Sequence, residues 1–532
     1  MAKVKVRPHN SGYSEGGASM TRRALRGFIP SSGSPIDDID FNNSTLRQRS
    51  RMLYMSAGVA TAAINTNRTH VIGTGLTMQS TIDRAILGIS DETAKAWQQK
   101  TEAEFRLWAS TAVNCDTAGL NNFAALQQLA FKSWLLSGDV FAIMRHDKPT
   151  PINPYGLHID IIEADRICVP ADCGGLWSVG GVVAGKIPDG KEGAGNAIYD
   201  GVEVDKNGKV VAYHVCSEYP NPMTYRNAEI ATWTRIPVRG EKTGLPNILH
   251  VMDCERPGQY RGVPYLSQVI ETLLQMRRYT ESELMAALIQ SFFSAWITTN
   301  AVTDGALPLG EAMPGDNIPV EKDSETEYEM GPGTICKLDP GESISFGSPN
   351  IPTAGFDTFM KEFCKQIGAA LELPYDVLMK EFNSSYSASR GALMEAWEAF
   401  KMRRAWFVDD FCQPIYELWL AEAVALGRVK APGFFNDPLI RKAWCSAQWI
   451  GPTQVQLDPV KEANAAILLT GHAIKTHKQV TRELGGGDWD KNVEQVAAEN
   501  EKLKAATGAP APAADPAPAP TNNDDEGDTN NE

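Results

Sequence analysis

The chain has 532 residues, 43% hydrophobic and 22% charged, enough for two or three domains with a sizeable core. A formal net charge of −15 argues against tight general binding to DNA or RNA, which relies on Lys and Arg displacing phosphate counterions; it leaves room for a protein past which DNA slides without being held. The nine cysteines are odd in number and form no CxxC, so they read as reduced thiols of a cytosol-like compartment.

Residues 1–42 are rich in Gly, Ser and Pro and read as a flexible arm, without the apolar core segment of a secretory signal. Helical patterns follow over 44–71, 91–110 and 121–136. Gly138-Asp139 then turns the chain into a strand, DVFAIMRHD. Between 156 and 255 the pattern is β: LHIDIIEADRICV alternates apolar and polar residues, and NILHVMD adds a further strand. VEVDKNGKVVAYHV reads as a hairpin whose Asn207-Gly208 pair suits a two-residue type I′ turn. The Gly-rich stretch from Gly174 to Gly195 reads as a long surface loop.

A turn at Gly262–Pro264 opens a long helix. Leu266, Val269, Ile270, Leu273, Leu274, Leu284, Met285 and Leu288 mostly follow helical spacing, and Pro264 suits a first helical position. The helix would be roughly 40 Å long, with a polar middle over 275–283. A helix of that length, wet at its centre, suits packing against copies of itself. The apolar stretch over 284–297 is too short to span a bilayer, so the protein is expected to be soluble. SFFSAWITTN reads as a strand. The breakers Met313-Pro314-Gly315-Asp316, Gly331-Pro332-Gly333 and Asp339-Pro340-Gly341 make the insert up to 352 strands and turns. A second helix is predicted over 354–370 and a third over 388–427, kinked by Pro414. The segment LELPYDVLMKEFNSSYSASR between them reads as an unusually long loop, of the kind that carries function. Three shorter helices are predicted over 459–470, 476–484 and 489–506, then a Pro/Ala-rich, acidic tail that reads as disordered.

Enzyme-like motifs are poor. Gly180 to Lys186 satisfies GxxxxGK, but Ile187 stands where a Mg²⁺-binding hydroxyl is required, and Pro188 follows instead of a helix. His472 and His477 are five apart and share no helix face, and HExxH and GxSxG are absent. No catalytic, cofactor-binding or metal-ligating residue is singled out. The acidic run at Glu321, Asp323, Glu325, Glu327 and Glu329 is either a solvated loop or a docking surface for a basic partner. Arg277-Arg278 and Arg403-Arg404 lie on predicted helices, where a polar face explains them as well as a nucleic-acid contact does. In the loop over 380–387, Lys380, Asn383, Ser384, Ser385 and Tyr386 can donate hydrogen bonds to phosphates without strong net charge. A plain helix connector, capped at Ser385 or Ser387, accounts for the same residues.

The segment ILHVMDCERPGQYRGVPYLSQVIETLLQMRRYTESELMAALIQSFFSAWI is similar to the lambda-type phage portal proteins, in which an RG-(V/A) turn opens a long helix after a strand ending in a hydrophobic-His pair, here Leu249-His250. MPGD at 313–316, AALELPYDVLMKEFNSSYSASRGALMEAWEAFKMRR and AWCSAQWIGP extend the likeness over roughly residues 45–500. The resemblance implies a mixed α+β portal fold assembled as a ring of twelve, a homododecamer around a DNA channel at one capsid vertex. It implies an arm (1–43), a wing (44–263), stem helices (264–291 and 353–370), a clip (292–352), a tunnel loop (371–387), a kinked wing helix (388–427), a C-terminal wing and crown (428–506) and a tail (507–532). Under this resemblance Lys380, Asn383, Ser384, Ser385 and Tyr386 become DNA-proximal, and the clip carboxylates from Glu321 to Glu329 face the packaging motor. The partners it implies are the terminase large subunit, major capsid and scaffolding proteins, head-completion and tail-adaptor proteins, and double-stranded DNA passing non-specifically. A nuclease or NTPase of the packaging machinery is the competing expectation, and would need a Walker motif or a metal-holding carboxylate cluster. A monomeric or dimeric nucleic-acid-binding protein is the third, disfavoured by the acidic balance.

Overall fold

The computed structural model describes residues 18–19, 22–25, 27–28, 32–178, 181–219, 231–291, 295–299, 342–346, 355–382, 385–454, 458–485 and 487–507. Asn383, Ser384 and the acidic run from Glu321 to Glu329 lie outside them, and for Tyr386 only the backbone is described. The fold is mixed helix and sheet. No described helix is long and apolar enough to cross a membrane.

The N-terminal helix predicted over 44–71 is two helices, α1 (Phe41–Ser56) and α2 (Gly58–Val71). Ala57 between them is extended at φ −119° and ψ 112°. The break is stabilised locally: the Thr61 hydroxyl donates to the Tyr54 carbonyl at 2.5 Å, and Gly58 is a poor helix former. Residues 36–40, expected in the flexible arm, instead form a π-helical turn ahead of α1, with Ile39 and Asp40 buried. Next come β1 (Thr77–Ser80), α3 (Arg84–Leu87), α4 (Asp91–Ala109), α5 (Ala112–Cys115) and α6 (Phe123–Ser137). Ser90 and Asn122 cap α4 and α6 by accepting from Thr93 N and Ala125 N.

Two antiparallel sheets follow. The first joins β2 (Asp139–His146), β3 (Leu157–Glu163) and β10 (Ile248–Met252), with β2 central. The second is a six-stranded meander of β4 (Leu176–Ser178), β5 (Gly181–Lys186), β6 (Ala197–Tyr199), β7 (Val202–Val204), β8 (Val210–Cys216) and β9 (Trp233–Pro237). Phe141, Ile143 and Ile162 of the first pack with Val202, Val204, Tyr213 and Val215 of the second. The stretch from Gly174 to Gly195, expected as a loop, thus contributes β4 and β5: its glycines serve turns and close strand approach, as where a Cβ on Gly175 would strike the Ala184 carbonyl. The hairpin expected at Asn207-Gly208 exists, but not as a two-residue turn. Only Gly208 has positive φ (82°), and the Asp205 carboxylate accepts from Asn207 N at 2.8 Å and Lys209 N at 2.9 Å, which organises a longer loop. The two-residue turn with both φ positive is one hairpin earlier, at Asp200 (φ 42°) and Gly201 (φ 84°), between paired Tyr199 and Val202.

The long helix α7 (Ile270–Ser291) is shorter than expected at 22 residues, or about 33 Å. The chain from Pro264 first makes a tighter turn at Ser267–Val269, with Ser267 bonding back to the Pro264 carbonyl. The strands β11 (Ala295–Thr299) and β12 (Glu342–Phe346) pair antiparallel, and α8 (Phe356–Ala370) returns along α7. Tyr279 stacks on Phe356 and meets Phe359 edge-on at 4.8 Å. At the base, the Tyr265 hydroxyl donates to the Leu371 carbonyl, so α7 and α8 run antiparallel.

The segment read as a long loop after α8 is partly helical. It contains α9 (Tyr375–Met379), and α10 (Tyr386–Phe407) already begins at Tyr386. A π-helical turn at Val408–Cys412 links α10 to α11 (Gln413–Ala425), placing Pro414 in the first turn of α11, where its missing N–H is harmless. Then come α12 (Pro438–Cys445), β13 (Ala447–Ile450), which pairs with β1, and α13 (Pro459–Gly471), α14 (His477–Gly485) and α15 (Trp489–Thr507). The main core is aromatic, where Phe105, Trp108, Phe123, Phe131, Phe407, Phe411, Tyr416 and Trp419 interlock between α4, α6 and the α10–α11 rod.

Candidate functional site

The RGVP turn ahead of α7 is anchored by charge. Arg261 is fully buried; its Nε donates to Asp139 Oδ2 at 2.6 Å, and its two Nη groups donate to the Ala164 carbonyl at 2.8 Å and the Ile167 carbonyl at 3.0 Å. Arg261 Nη1 also lies 2.8 Å from Asp200 Oδ2, and Arg47 of α1 reaches the same carboxylate at 3.3 Å. His250 of β10 lies with Nε2 at 3.3 Å from Asp139 Oδ2, so both halves of the RG and Leu-His pattern converge on one carboxylate. Burial pushes the Asp139 pKa up, but Arg261 and Arg47, with hydrogen bonds from His250 and Arg261, more than offset it and hold the group below the usual carboxylate range. Gly262 is required by space: a Cβ there would lie 1.9 Å from the Gly138 carbonyl oxygen.

Asp40 completes this cluster from the N-terminal side. It is buried, and its Oδ2 has no hydrogen-bond partner. Burial, then the charge of Asp200, raise its pKa to about 7. Three carboxylates (Asp40, Asp139, Asp200) face two guanidiniums (Arg47, Arg261), so a proton on Asp40 makes the cluster neutral. Sequence reasoning missed both Asp40 and Asp139. The Gly138-Asp139 pair between a helix and a strand was the available signal.

The expected tunnel loop is held at its base. Arg403 is buried and donates to Glu372 Oε2 at 2.6 Å and Asn67 Oδ1 at 2.9 Å, with its guanidinium over the Tyr265 ring. Arg404 donates to the Val71 carbonyl at 2.9 Å and the His70 carbonyl at 2.7 Å. Neither arginine lies on a polar helix face, the setting expected from sequence. Arg277, by contrast, is exposed and pairs with Glu281 at 2.8 Å. Of the loop residues, Lys380 is exposed in the left-handed region (φ 58°) just after α9. Burial, then the charges of Lys380 and Arg404, hold the His70 pKa down. Ser385 occupies the N-cap position of α10 without making the capping bond, its hydroxyl lying 3.3 Å from that of Ser387. Tyr375 of α9 donates to Glu381 at 2.8 Å, turning that carboxylate back onto the protein.

The motifs with enzymatic spacing are otherwise engaged. Residues 181–186 of the GxxxxGK match form β5, a strand that offers no helix N-terminus to a phosphate. His477 stacks on Trp489 at 4.6 Å, and among the described residues no group of His, Cys, Asp and Glu could hold a metal ion.

The outer part of α7 exposes apolar side chains. Leu284, Met285 and Leu288 are 69%, 55% and 51% exposed, whereas Ile270, Leu273 and Met276 nearer the base are buried.

Comparison with known proteins gives one family: the model for "Phage portal protein, lambda family" matches residues 21–404. The portal protein of Escherichia phage N15 is 23% identical over 526 residues, covering 96% of this chain and 93% of its own. Portal protein B of Escherichia phage lambda is 23% identical over 519 residues, 94% and 92% of the two chains. Among solved structures, a chain from the neck of an empty GTA particle superposes with a TM-score of 0.42 at 13% identity, over 84% of this chain and 94% of that one.

Proposed function

The chain belongs to the lambda family of phage portal proteins, and from that premise we propose how its parts serve the ring. Copies assemble into the channel at one vertex of the virion through which DNA is packaged and later ejected. The observation that carries the reading at the level of residues is the exposed apolar outer half of α7. Leu284, Met285 and Leu288 stabilise a folded subunit only if something covers them, and a heterologous contact repeated around an axis covers them in every copy. Twelve copies close the ring. α7 and α8 form the stem, β11 and β12 belong to the clip, and α10 with α11 forms the spine of the wing.

The mechanics are electrostatic. A subunit charge of −15, repeated around a ring, repels a polyanion and keeps it from adhering. Lys380, Asn383, Ser384, Ser385 and Tyr386 supply light, sequence-independent phosphate contacts from the tunnel loop, and Arg403 holds the base of that loop against Asn67 and Glu372. Glu321, Asp323, Glu325, Glu327 and Glu329 present the clip to the terminase large subunit during filling and to head-completion proteins afterwards. Capsid and scaffolding proteins meet the outer wing. No catalytic step is assigned to this chain; the energy for translocation comes from the motor it docks. Light scattering of the purified protein tests the reading: a particle many times 58.0 kDa without ATPase activity is expected, and a 58.0 kDa species that hydrolyses ATP would overturn it.

A further inference from the structure

Between α10, the β13 strand with its following residues, and α13–α14 lies a cavity of about 570 Å³. Four cations line it, Lys401, Arg404, Lys475 and Arg482, with Glu398, Glu462 and Glu483. Two of these cations are neutralised locally, as Lys401 pairs with Glu398 at 2.9 Å and Lys475 with Glu483. The other two are not. Arg404 has only carbonyl acceptors and the Trp397 ring, and burial alone lowers its pKa, to about 10, with no carboxylate offsetting it. Arg482 has a buried Nε without a partner and, among the described residues, no hydrogen bond or ion pair. Glu462 faces the same space but lies within ion-pair distance of neither arginine. The wall is shaped around this charge: a Cβ on Gly451 would come within 3.0 Å of Arg404 Nε and 2.6 Å of Leu76.

A cavity with one more cation than carboxylate in its lining, and two guanidiniums that pair with no carboxylate among the described residues, favours a carboxylate-rich ligand. The chain carries one. Residues 508–532 contain Asp515, Asp524, Asp525, Glu526, Asp528 and Glu532 and no basic side chain. We propose that the cavity is the seat of this acidic C-terminal segment, with the 524–528 cluster pairing with Arg404 and Arg482. Reach selects that cluster. α15 starts against α14, which lines the cavity, since Trp489 stacks on His477 and Lys478 pairs with Asp490 at 2.5 Å, and its 19 residues can carry the chain up to about 28 Å away. Asp515 is only eight residues beyond Thr507, roughly 26 Å of extended chain with no slack, whereas Asp524 has roughly 56 Å. Seated there, the tail would neutralise the positive surface beside the loop base, so docking and release of the tail would set how strongly that surface meets phosphates. The proposal does not depend on ring formation.

The test uses the full chain, a version ending at Thr507, and a fluorescent peptide of residues 508–532. By anisotropy at low salt the shortened protein should bind the peptide, and the full chain, its cavity already occupied, about tenfold more weakly. A peptide with Asp→Asn and Glu→Gln throughout should not bind. Arg482→Gln in the shortened protein should weaken binding about tenfold while circular dichroism stays unchanged; Arg482, unlike Arg404, holds no backbone carbonyl, so its replacement spares the fold. Equal binding by the full and shortened chains, or binding indifferent to Arg482→Gln, would overturn the proposal. So would a short DNA duplex that binds in an Arg482-dependent way where the peptide does not.

Discussion

Asp139 and Arg261 stand 122 residues apart in the chain and meet at 2.6 Å with neither side chain exposed to solvent. The pair joins the first residue of the central strand β2 to the turn from which α7 rises, so the sheet and the long helix share one anchor. The Ala164 and Ile167 carbonyls and the Asp200 carboxylate complete the guanidinium's partners, which is why a charge so deeply buried is tolerated.

Breaking that pair from one side leaves the other charge stranded. Arg261→Met and Asp139→Asn should each lower stability by roughly 3–5 kcal/mol, and the double variant by less than the sum, in urea unfolding followed by tryptophan fluorescence. Additive effects would mean that the two side chains are not coupled.

Asp40 gives a pH signature. Its folded pKa, near 7, stands above its unfolded value, so the folded state holds a proton that the unfolded chain has lost. Its contribution to stability is therefore full below about pH 4 and lost as pH rises through 7. Asp40→Asn keeps the shape and removes the titration. The variant should be more stable than the wild type at pH 8, by on the order of 4 kcal/mol, with the gap closing only as pH falls to about 4. Comparing the two proteins cancels His250, whose lowered pKa acts in the opposite sense, weakening the fold as pH falls below about 6.5. A gap that does not change with pH would refute the protonated Asp40.

Leu284→Glu and Leu288→Glu place charge on exposed positions of α7. The helix content of the subunit should not change, but the assembled particle should be lost or reduced to small oligomers in sedimentation velocity. Normal particles from both variants would mean that this side of α7 faces solvent in the assembly.

Deleting Lys380–Ser387 should spare assembly and impair DNA packaging or retention, because Arg403, Asn67 and Glu372 hold the loop base from outside the deleted stretch. If particles fail to assemble, the segment is a structural connector.

Periodicity made the helices and strands legible where one neighbour decides the backbone. Helices α4, α6, α8 and α13–α15 lie close to where the sequence pattern places them. What escaped depends on distant or hydroxyl-mediated contacts. The break at Ala57 rests on Thr61 capturing a carbonyl, which no spacing rule shows. Asn207-Gly208 and Asp200-Gly201 both suit a type I′ turn; the Asp205 side chain diverts the first, and the buried arginines hold the second. Glycines between 174 and 195 signalled a loop because glycine marks both loops and closely packed strands. The turn at RGVP was visible, but its partner Asp139 was not, since charge pairing across 122 residues leaves no local trace.

Electron cryomicroscopy of the purified full chain tests the central claim most directly. Closed rings with an axial channel, α7 and α8 of neighbouring copies in contact along it, are the expected result. A self-contained monomer with Leu284, Met285 and Leu288 left in solvent, at concentrations where relatives of this family form rings, would contradict it.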